Sequence, residues 1–204
     1  ATMMLSAAPD AAIISGQDSG SVTEDQHVLR GTLSTGGTLS VTDPDGAAES
    51  RLIPTGTTEG SLISGDKGLG QFEVGANGHW NFVANNADPR IQALGRHDTL
   101  QDTITVHSVD GTAHTITVTI NGTNDLPEIT STVQAGAVSE DAQNLTVVGR
   151  VTSSDVDHDA TAAYTGNMQG EFGSFVVNEV SGEWVYTLAN DAHQNLKADR
   201  KSVV

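Results

Sequence analysis

The sequence predicts an all-β protein made of two tandem antiparallel β-sandwich domains with Greek-key connections. Three observations support this prediction. The chain repeats itself along its length, its short segments alternate polar and apolar residues, and only one short segment has the features of a helix.

The repeat is visible in motifs that return in the same order. "SVTED" at 21–25 returns as "AVSED" at 137–141, an offset of 116 residues. "GQFEVGANGHWNF" at 70–82 returns as "GSFVVNEVSGEWVY" at 173–186, which places Trp80 and Trp184 in one register. A repeat of about 115 residues has the size of a sandwich domain.

The segments between these motifs have the pattern of half-buried strands. "TLSVT", "TITVHSV" and "HTITVTIN" alternate polar and apolar residues, so Ile116, Val118 and Ile120 share one face. Asn77-Gly78 separates two such segments and predicts a tight hairpin turn, which Ser181-Gly182 replaces in the second copy.

One segment, "DPRIQALG", predicts a helical turn with Asp88 as its cap, Pro89 at its first position and Gly95 as its end. We divide the chain into an N-terminal tail or preceding linker (1–12), a first sandwich (13–125), a linker (126–128) and a second sandwich (129–204). The second copy stops before anything matching residues 102–125. We therefore expect it to be incomplete before its last two strands, with open sheet edges that either self-associate by strand pairing with another chain or stay partly disordered.

Composition excludes several classes of function. The 26 acidic residues against 9 basic ones give a net charge of −17, which disfavours nucleic-acid binding and favours cations wherever acids cluster. The absence of cysteine excludes disulfides and thiolate metal sites. No apolar run is long enough for membrane insertion. No serine lies in a nucleophile elbow, so we expect no enzyme.

Acidic and amide side chains are predicted to meet where the two domains join. In a seven-strand sandwich, the loops before strands two and six and the end of strand seven lie at one end, and the second copy turns its second-strand loop toward them. Such oxygen ligands favour Ca²⁺ over Zn²⁺ or Mg²⁺. The predicted ligands are Glu24, Asp25, Asp98, Asp102, Asn124, Asp125, Asp155 and Asp157.

Plainer interpretations of these acids stay open. Asp155 and Asp157 could be turn residues that accept hydrogen bonds from their own backbone, and Glu24 with Asp25 could be a solvated loop pair. Of Asp98 and Asp102, we expect that only one reaches the ion.

The ordered set "SVTED", "GTLSVTDPDG", "GQFEVGANGHWNF" and "TVTINGTNDLP" resembles the VCBS repeat, a cadherin-like, Ig-like sandwich found in arrays in large secreted bacterial adhesins of the RTX type. The resemblance covers Ile13 to Pro127 and then the second copy from Glu128. It implies an extracellular, cell-surface location, a spacer or adhesive role and neighbouring repeats as partners. By analogy with cadherins it also implies a second ligand set toward a preceding domain, formed by Asp43, Asp45 and Asp110.

Two other functions compete with that of a calcium-stiffened spacer. A recognition module would bind a cell-surface glycan or protein through exposed aromatic residues, but the chain is only 4% aromatic. Trp80 and Trp184 alternate with Phe82 and Tyr186, which favours a place in the core over sugar stacking. An enzyme or self-processing segment would need a general base, and none is apparent.

Overall fold

The computed structural model describes residues 8–56, 61–192 and 194. Strands account for 43% of the structure and helices for 3%, which confirms the predicted all-β class. The chain divides into two compact units, residues 1–124 and 125–204, and each is described by itself. No helix among the described residues is long and apolar enough to cross a membrane.

Unit 1 is a two-sheet sandwich. Its elements are β1 (Ile13–Gly16), β2 (Ser19–Thr23), β3 (Thr32–Thr42), β4 (Ile63–Ser64), β5 (Gly70–Val74), β6 (His79–Asn85), α1 (Pro89–Gln92), β7 (Thr99–His107) and β8 (Ala113–Asn121). One sheet has the order β1-β3-β6-β5-β4 and the other the order β2-β8-β7.

The first strand of unit 1 is split between the two sheets. β1 pairs antiparallel with β3, whereas β2 pairs parallel with β8, from Ser19 opposite Thr117 to Thr23 opposite Asn121. Gly16, with φ of +111°, ends β1 and turns the chain toward the other sheet. The N-terminal segment therefore contributes an edge to both layers.

Alternation of side chains places the core between these sheets. Along β6, Trp80, Phe82 and Ala84 point inward and are at most 3% exposed. The Trp80 indole Nε1 donates a hydrogen bond to the Gln17 carbonyl at 2.7 Å, so its polar edge is satisfied inside the fold. The predicted core role of this tryptophan is confirmed.

The predicted hairpin turn is confirmed, but the predicted helix is too long. Gly78 adopts φ of +84° between β5 and β6. Asp88 caps α1 by accepting from the Arg90 N–H, with Pro89 in the first turn, yet the helix ends at Gln92 and not at Gly95. The Leu94 N–H bonds to the Ile91 carbonyl three residues back, which tightens the chain and ends the α-helical pattern.

Unit 2 repeats part of this arrangement. Its elements are β9 (Glu128–Ile129), β10 (Thr146–Arg150), β11 (Ser153–Ser154), β12 (Met168–Gln169), β13 (Gly173–Val177), β14 (Glu183–Leu188) and a 3₁₀ turn (Asn190–Ala192). The sheets have the orders β10-β14-β13-β12 and β11-β9. Trp184, Tyr186 and Leu188 of β14 form its buried cluster, so the second tryptophan also lies in a core, as predicted.

Candidate metal centre

Three acidic residues gather in the loop that follows β3. Asp43, Asp45 and Glu49 each offer a carboxylate oxygen, and these oxygens all lie within 4.8 Å of one another. Asp43 is only 9% exposed. Such a cluster of like charges is unfavourable by itself, because each pair of carboxylates repels by about 1 kcal/mol in water and more where water is excluded.

The local backbone explains how the sequence forms this cluster. The Asp45 N–H donates to Asp43 Oδ1 at 2.8 Å, which closes a turn over Pro44. Gly46, at φ of +124°, then reverses the chain, and the Glu49 N–H donates to its carbonyl at 3.2 Å. The loop thereby returns Glu49 to the two aspartates.

Asp43 serves the turn with only one of its two oxygens. Its Oδ1 accepts the turn hydrogen bond, whereas its Oδ2 is buried and has no hydrogen-bond partner in the part of the chain that the structure describes. A buried anionic oxygen without a donor is costly, so the site favours a cation that would contact this oxygen. The plain turn interpretation thus accounts for one oxygen and leaves the other unexplained.

Asp110, which the resemblance grouped with Asp43 and Asp45, is not in this cluster of three. Its carboxylate accepts hydrogen bonds from the Ser108 hydroxyl, from the Ala12 N–H at 2.9 Å, and from the Thr112 hydroxyl and N–H at 2.7 and 3.1 Å. The Ser108 hydrogen bond, followed by that from the Ala12 N–H, holds the pKa of Asp110 well below its usual value. Through its bond from Ala12, the Asp110 carboxylate holds the segment that precedes β1 against the end of the sandwich.

Glu49 is the residue that sequence analysis missed. Glu49 lies six positions after Asp43 in the sequence. The sequence signal for its return to the aspartates is Gly46, which follows "DPD" and permits the chain to reverse direction. The segment that precedes β1 also contacts this loop, because the Asp10 N–H donates to Asp45 Oδ2 at 2.7 Å.

At the other end of unit 1, the structure brings Glu24 and Asp98 to the last residues of the unit. The buried Glu24 carboxylate accepts from the Thr123 N–H at 2.7 Å through Oε1. The Asp98 carbonyl accepts from the Gly122 N–H at 2.9 Å, and its Oδ2 accepts from the Gly95 N–H at 3.2 Å. Asn124, the last residue of unit 1, is exposed.

Asp25 has local partners. It adopts φ of +56°, its N–H donates to Asn86 Oδ1 at 2.9 Å, and its Oδ1 accepts from Asn86 Nδ2 at 2.7 Å. These contacts tie the loop after β2 to the loop after β6.

Asp102 is fully buried and organises the loop before β5. Its Oδ1 accepts from the N–H groups of Lys67 at 2.8 Å and Thr103 at 3.0 Å. Its Oδ2 accepts from those of Leu69 at 2.8 Å and Gly70 at 3.0 Å. Four donors satisfy this carboxylate, which gives Asp102 a structural task independent of any ion.

Unit 2 forms the same turn at its own aspartate pair. The Asp157 N–H donates to Asp155 Oδ1 at 3.0 Å, and the Asp125 N–H donates to Asp157 Oδ2 at 2.9 Å. Asp157 is 9% exposed, and within the described residues its Oδ1 has no hydrogen-bond partner. The pattern of Asp10, Asp43 and Asp45 thus recurs at Asp125, Asp155 and Asp157.

Two solved cadherin structures are similar to this chain. The mouse cadherin-23 EC22-24 structure matches with a TM-score of 0.53 and 18% identity, over 95% of this chain and 64% of that one. This chain therefore spans less than two thirds of that structure. The human desmocollin-1 ectodomain matches with a TM-score of 0.42 and 18% identity, over 84% of this chain and 32% of that one.

A search of curated proteins found no significant match. The model of the family described as "Bacterial cadherin-like domain" matches residues 9–122, which is more than half of the chain and nearly all of unit 1. The cadherin-like part of the resemblance is therefore confirmed, and the fold likeness to the cadherin-23 repeats agrees with it. The chain belongs to the bacterial cadherin-like domain family.

Proposed function

We propose that this chain is a calcium-binding structural module, in which Asp43, Asp45 and Glu49 hold one Ca²⁺ at the end of unit 1. The observation that supports the proposal is the buried Asp43 Oδ2, which lies in a group of three carboxylates and lacks a hydrogen-bond donor among the described residues. A bound cation supplies the positive charge that this oxygen needs.

The donor set fits calcium better than other common cations. Calcium binds oxygen ligands at about 2.3–2.6 Å, so two ligands on opposite sides of one ion lie about 5 Å apart. Carboxylate oxygens within 4.8 Å of one another therefore fit one coordination sphere. Zinc favours nitrogen and sulfur ligands, and magnesium demands a tighter octahedron with several waters.

Calorimetric titration of Ca²⁺ into chelator-treated protein tests this site. Asp43→Asn preserves an oxygen for the turn but removes the negative charge, so it is expected to weaken binding at least tenfold. Glu179→Gln, which removes an exposed acid of unit 2, is the matched control and is expected to leave the affinity unchanged. Equal affinities for Asp43→Asn and the original chain would rule out this site.

The calcium site predicted from Glu24, Asp25, Asp98, Asn124, Asp125, Asp155 and Asp157 stays part of the proposal. Asp102 is left out of it, because its two oxygens already accept four backbone hydrogen bonds. The support for this site is the repetition of the aspartate turn at Asp155 and Asp157, with a buried Asp157 Oδ1 that lacks a donor among the described residues. Calcium bound there would stiffen the connection between the repeats. Asp155→Ala with Asp157→Ala should then remove a class of calcium binding that Asp43→Asn retains.

Small-angle scattering with and without chelator tests the mechanical part of this proposal. We expect chelation to broaden the distribution of interatomic distances of the original chain and to leave that of the Asp155→Ala, Asp157→Ala variant unchanged. Identical profiles of the original chain in both conditions would contradict a calcium-stiffened connection.

We further propose that the module is an extracellular, non-enzymatic spacer of a secreted bacterial surface adhesin, of the VCBS and RTX type suggested by its motifs. Membership of the bacterial cadherin-like family supports an adhesion-type role, with neighbouring repeats as partners. Direct recognition of a glycan or protein receives less support. Trp80 and Trp184 are 1% and 4% exposed and present no aromatic surface to a ligand.

A further inference from the structure

The outer face of the four-stranded sheet of unit 2 carries an exposed row of three valines. The ladder places Val148 of β10 opposite Val185 of β14, and Val185 opposite Val176 of β13. These three residues are 72%, 38% and 53% exposed, respectively. Trp184 and Tyr186, which flank Val185 in β14, point to the inner face and are buried. The valines therefore form a continuous apolar row on the outside of the sheet.

Unit 1 carries polar residues in the same row. The two buried tryptophans, each opposite a glycine, align the ladders of the two units. One position from Trp80, the row of unit 1 consists of Gly36, Asn81 and Glu73. Asn81 is exposed, and the β7–β8 hairpin packs with Trp80 on the opposite, inner face. This row thus lies on the outside of the sandwich in the repeat, and the valines are a difference in the surface chemistry of unit 2.

One cation and one anion border the valine row on neighbouring strands. Arg150 lies two residues after Val148, opposite Glu183, which lies two residues before Val185, and both charged residues are exposed. The Arg150 Nε donates to the Ser181 carbonyl at 3.0 Å. Within the part of the chain that the structure describes, Arg150 and Glu183 form no ion pair with each other. Both charges are therefore available to a partner.

We propose that this face binds the same face of a second copy of the chain. A symmetric pair requires a surface that complements itself. A two-fold axis parallel to the strands, between β10 and β14, places Val148 opposite Val185 of the second copy. The same axis places Arg150 opposite Glu183 of the second copy, and each of these contacts occurs twice. The two charges cancel within the patch, so a copy with a net charge of −17 meets no repulsion from the patch itself.

The size of this face sets the strength of the contact. Three strands about 4.8 Å apart, with three outward residues each, span roughly 14 Å by 20 Å, or about 300 Å² per copy. Stable complexes bury about 800 Å² on each partner. We therefore expect a weak, transient pair that forms at high protein concentration. Such packing of faces differs from pairing of strand edges, because it uses side chains and no main-chain hydrogen bonds.

Sedimentation equilibrium in chelator tests the proposal without a contribution from calcium. We expect the average mass of the original chain to rise with protein concentration. The Arg150→Glu variant and the Glu183→Arg variant each place like charges opposite each other, so each is expected to associate at least tenfold more weakly. An equimolar mixture of the two variants restores opposite charges across the axis and should associate like the original chain. Unfolding midpoints at low protein concentration check that both variants fold.

Two valines provide a matched pair for the apolar row. Val185→Thr keeps the shape and the strand propensity of the side chain but replaces a methyl group with a hydroxyl group, so it should weaken association. Val133 is 97% exposed and lies beside Trp184 on the inner side of the sheet. Val133→Thr is therefore the control and should associate like the original chain.

Three results would overturn the proposal. The first is an average mass that does not change with concentration. The second is association that stays equally strong in Arg150→Glu, Glu183→Arg and Val185→Thr, which would assign it to strand edges instead. The third is a mixture of the two charge variants that associates as weakly as each variant alone, which would exclude the two-fold arrangement.

Discussion

Trp184 packs against Gly149, its cross-strand partner, so closely that a Cβ on Gly149 would overlap the indole ring. Unit 1 contains the same relationship, where a Cβ on Gly37 would lie 2.9 Å from the ring of its partner Trp80. Each repeat therefore uses a glycine within a strand to seat its buried tryptophan. The cost of glycine in a strand is offset by the packing of a large ring against bare backbone.

Substitution of this glycine should destabilise its own unit. Gly149→Ala places a methyl group inside the Trp184 ring contact, and overpacking of this kind costs about 1–3 kcal/mol. Denaturant unfolding followed by tryptophan fluorescence measures the change. Val148→Ala, on the opposite face of β10 and 72% exposed, is the control and should shift the midpoint little.

Asp102 should matter to stability in the absence of any ion. Asp102→Asn replaces one acceptor oxygen by an N–H₂ group, which then faces backbone donors of the 65–70 loop. Each buried donor left without an acceptor costs about 1–3 kcal/mol. Denaturation in chelator measures the loss, and Asp66→Asn, an exposed acid of the same loop, should change stability by less than about 0.5 kcal/mol.

The depressed pKa of Asp110 predicts a pH dependence of unit 1 stability. The folded state favours the ionised carboxylate, so its contribution is fully present above the usual pKa of 3.8 and is lost as pH falls below that value toward the folded pKa. The stability gap between the original chain and Asp110→Asn should therefore be large at pH 7 and should shrink below pH 4. Denaturation in chelator at pH 7, 4 and 3 measures it, and a gap independent of pH would contradict the role assigned to the ionised group.

Glu49 provides a test of the calcium site that sequence analysis alone did not suggest. Glu49→Gln keeps the shape of the side chain but removes one of the three charges in the cluster. We expect Kd for Ca²⁺ to rise about tenfold, which corresponds to about 1.4 kcal/mol. Stability in chelator should not fall, because the three carboxylates repel one another without a cation, and a marked loss there would indicate a structural role instead.

Features fixed by local sequence were predictable, and those that depend on a chain reversal were not. The Asn77-Gly78 turn and the inward register of Trp80 follow from turn chemistry and from period-two alternation. Glu49 was missed because its place beside Asp43 depends on the conformation of Gly46. The end of α1 was missed because the bond from Leu94 to Ile91 tightens the last turn before Gly95 is reached.

The four hydrogen-bond donors of Asp102 were equally invisible in the sequence. They come from residues more than 30 positions away, apart from the neighbouring Thr103, and only the packing of the 65–70 loop against β7 brings them together. A buried acid and a solvated acid look alike in a sequence of high negative charge. Their distinction requires the tertiary contacts.

The parallel pairing of β2 with β8 has a mechanical consequence. These strands lie near the start and the end of unit 1, and they run in the same direction, with pairs from Ser19 opposite Thr117 to Thr23 opposite Asn121. A force that pulls the unit by its two ends therefore draws the strands past each other along their length. The backbone hydrogen bonds between them share that load at the same time instead of opening one after another, so this pair resists tension in shear.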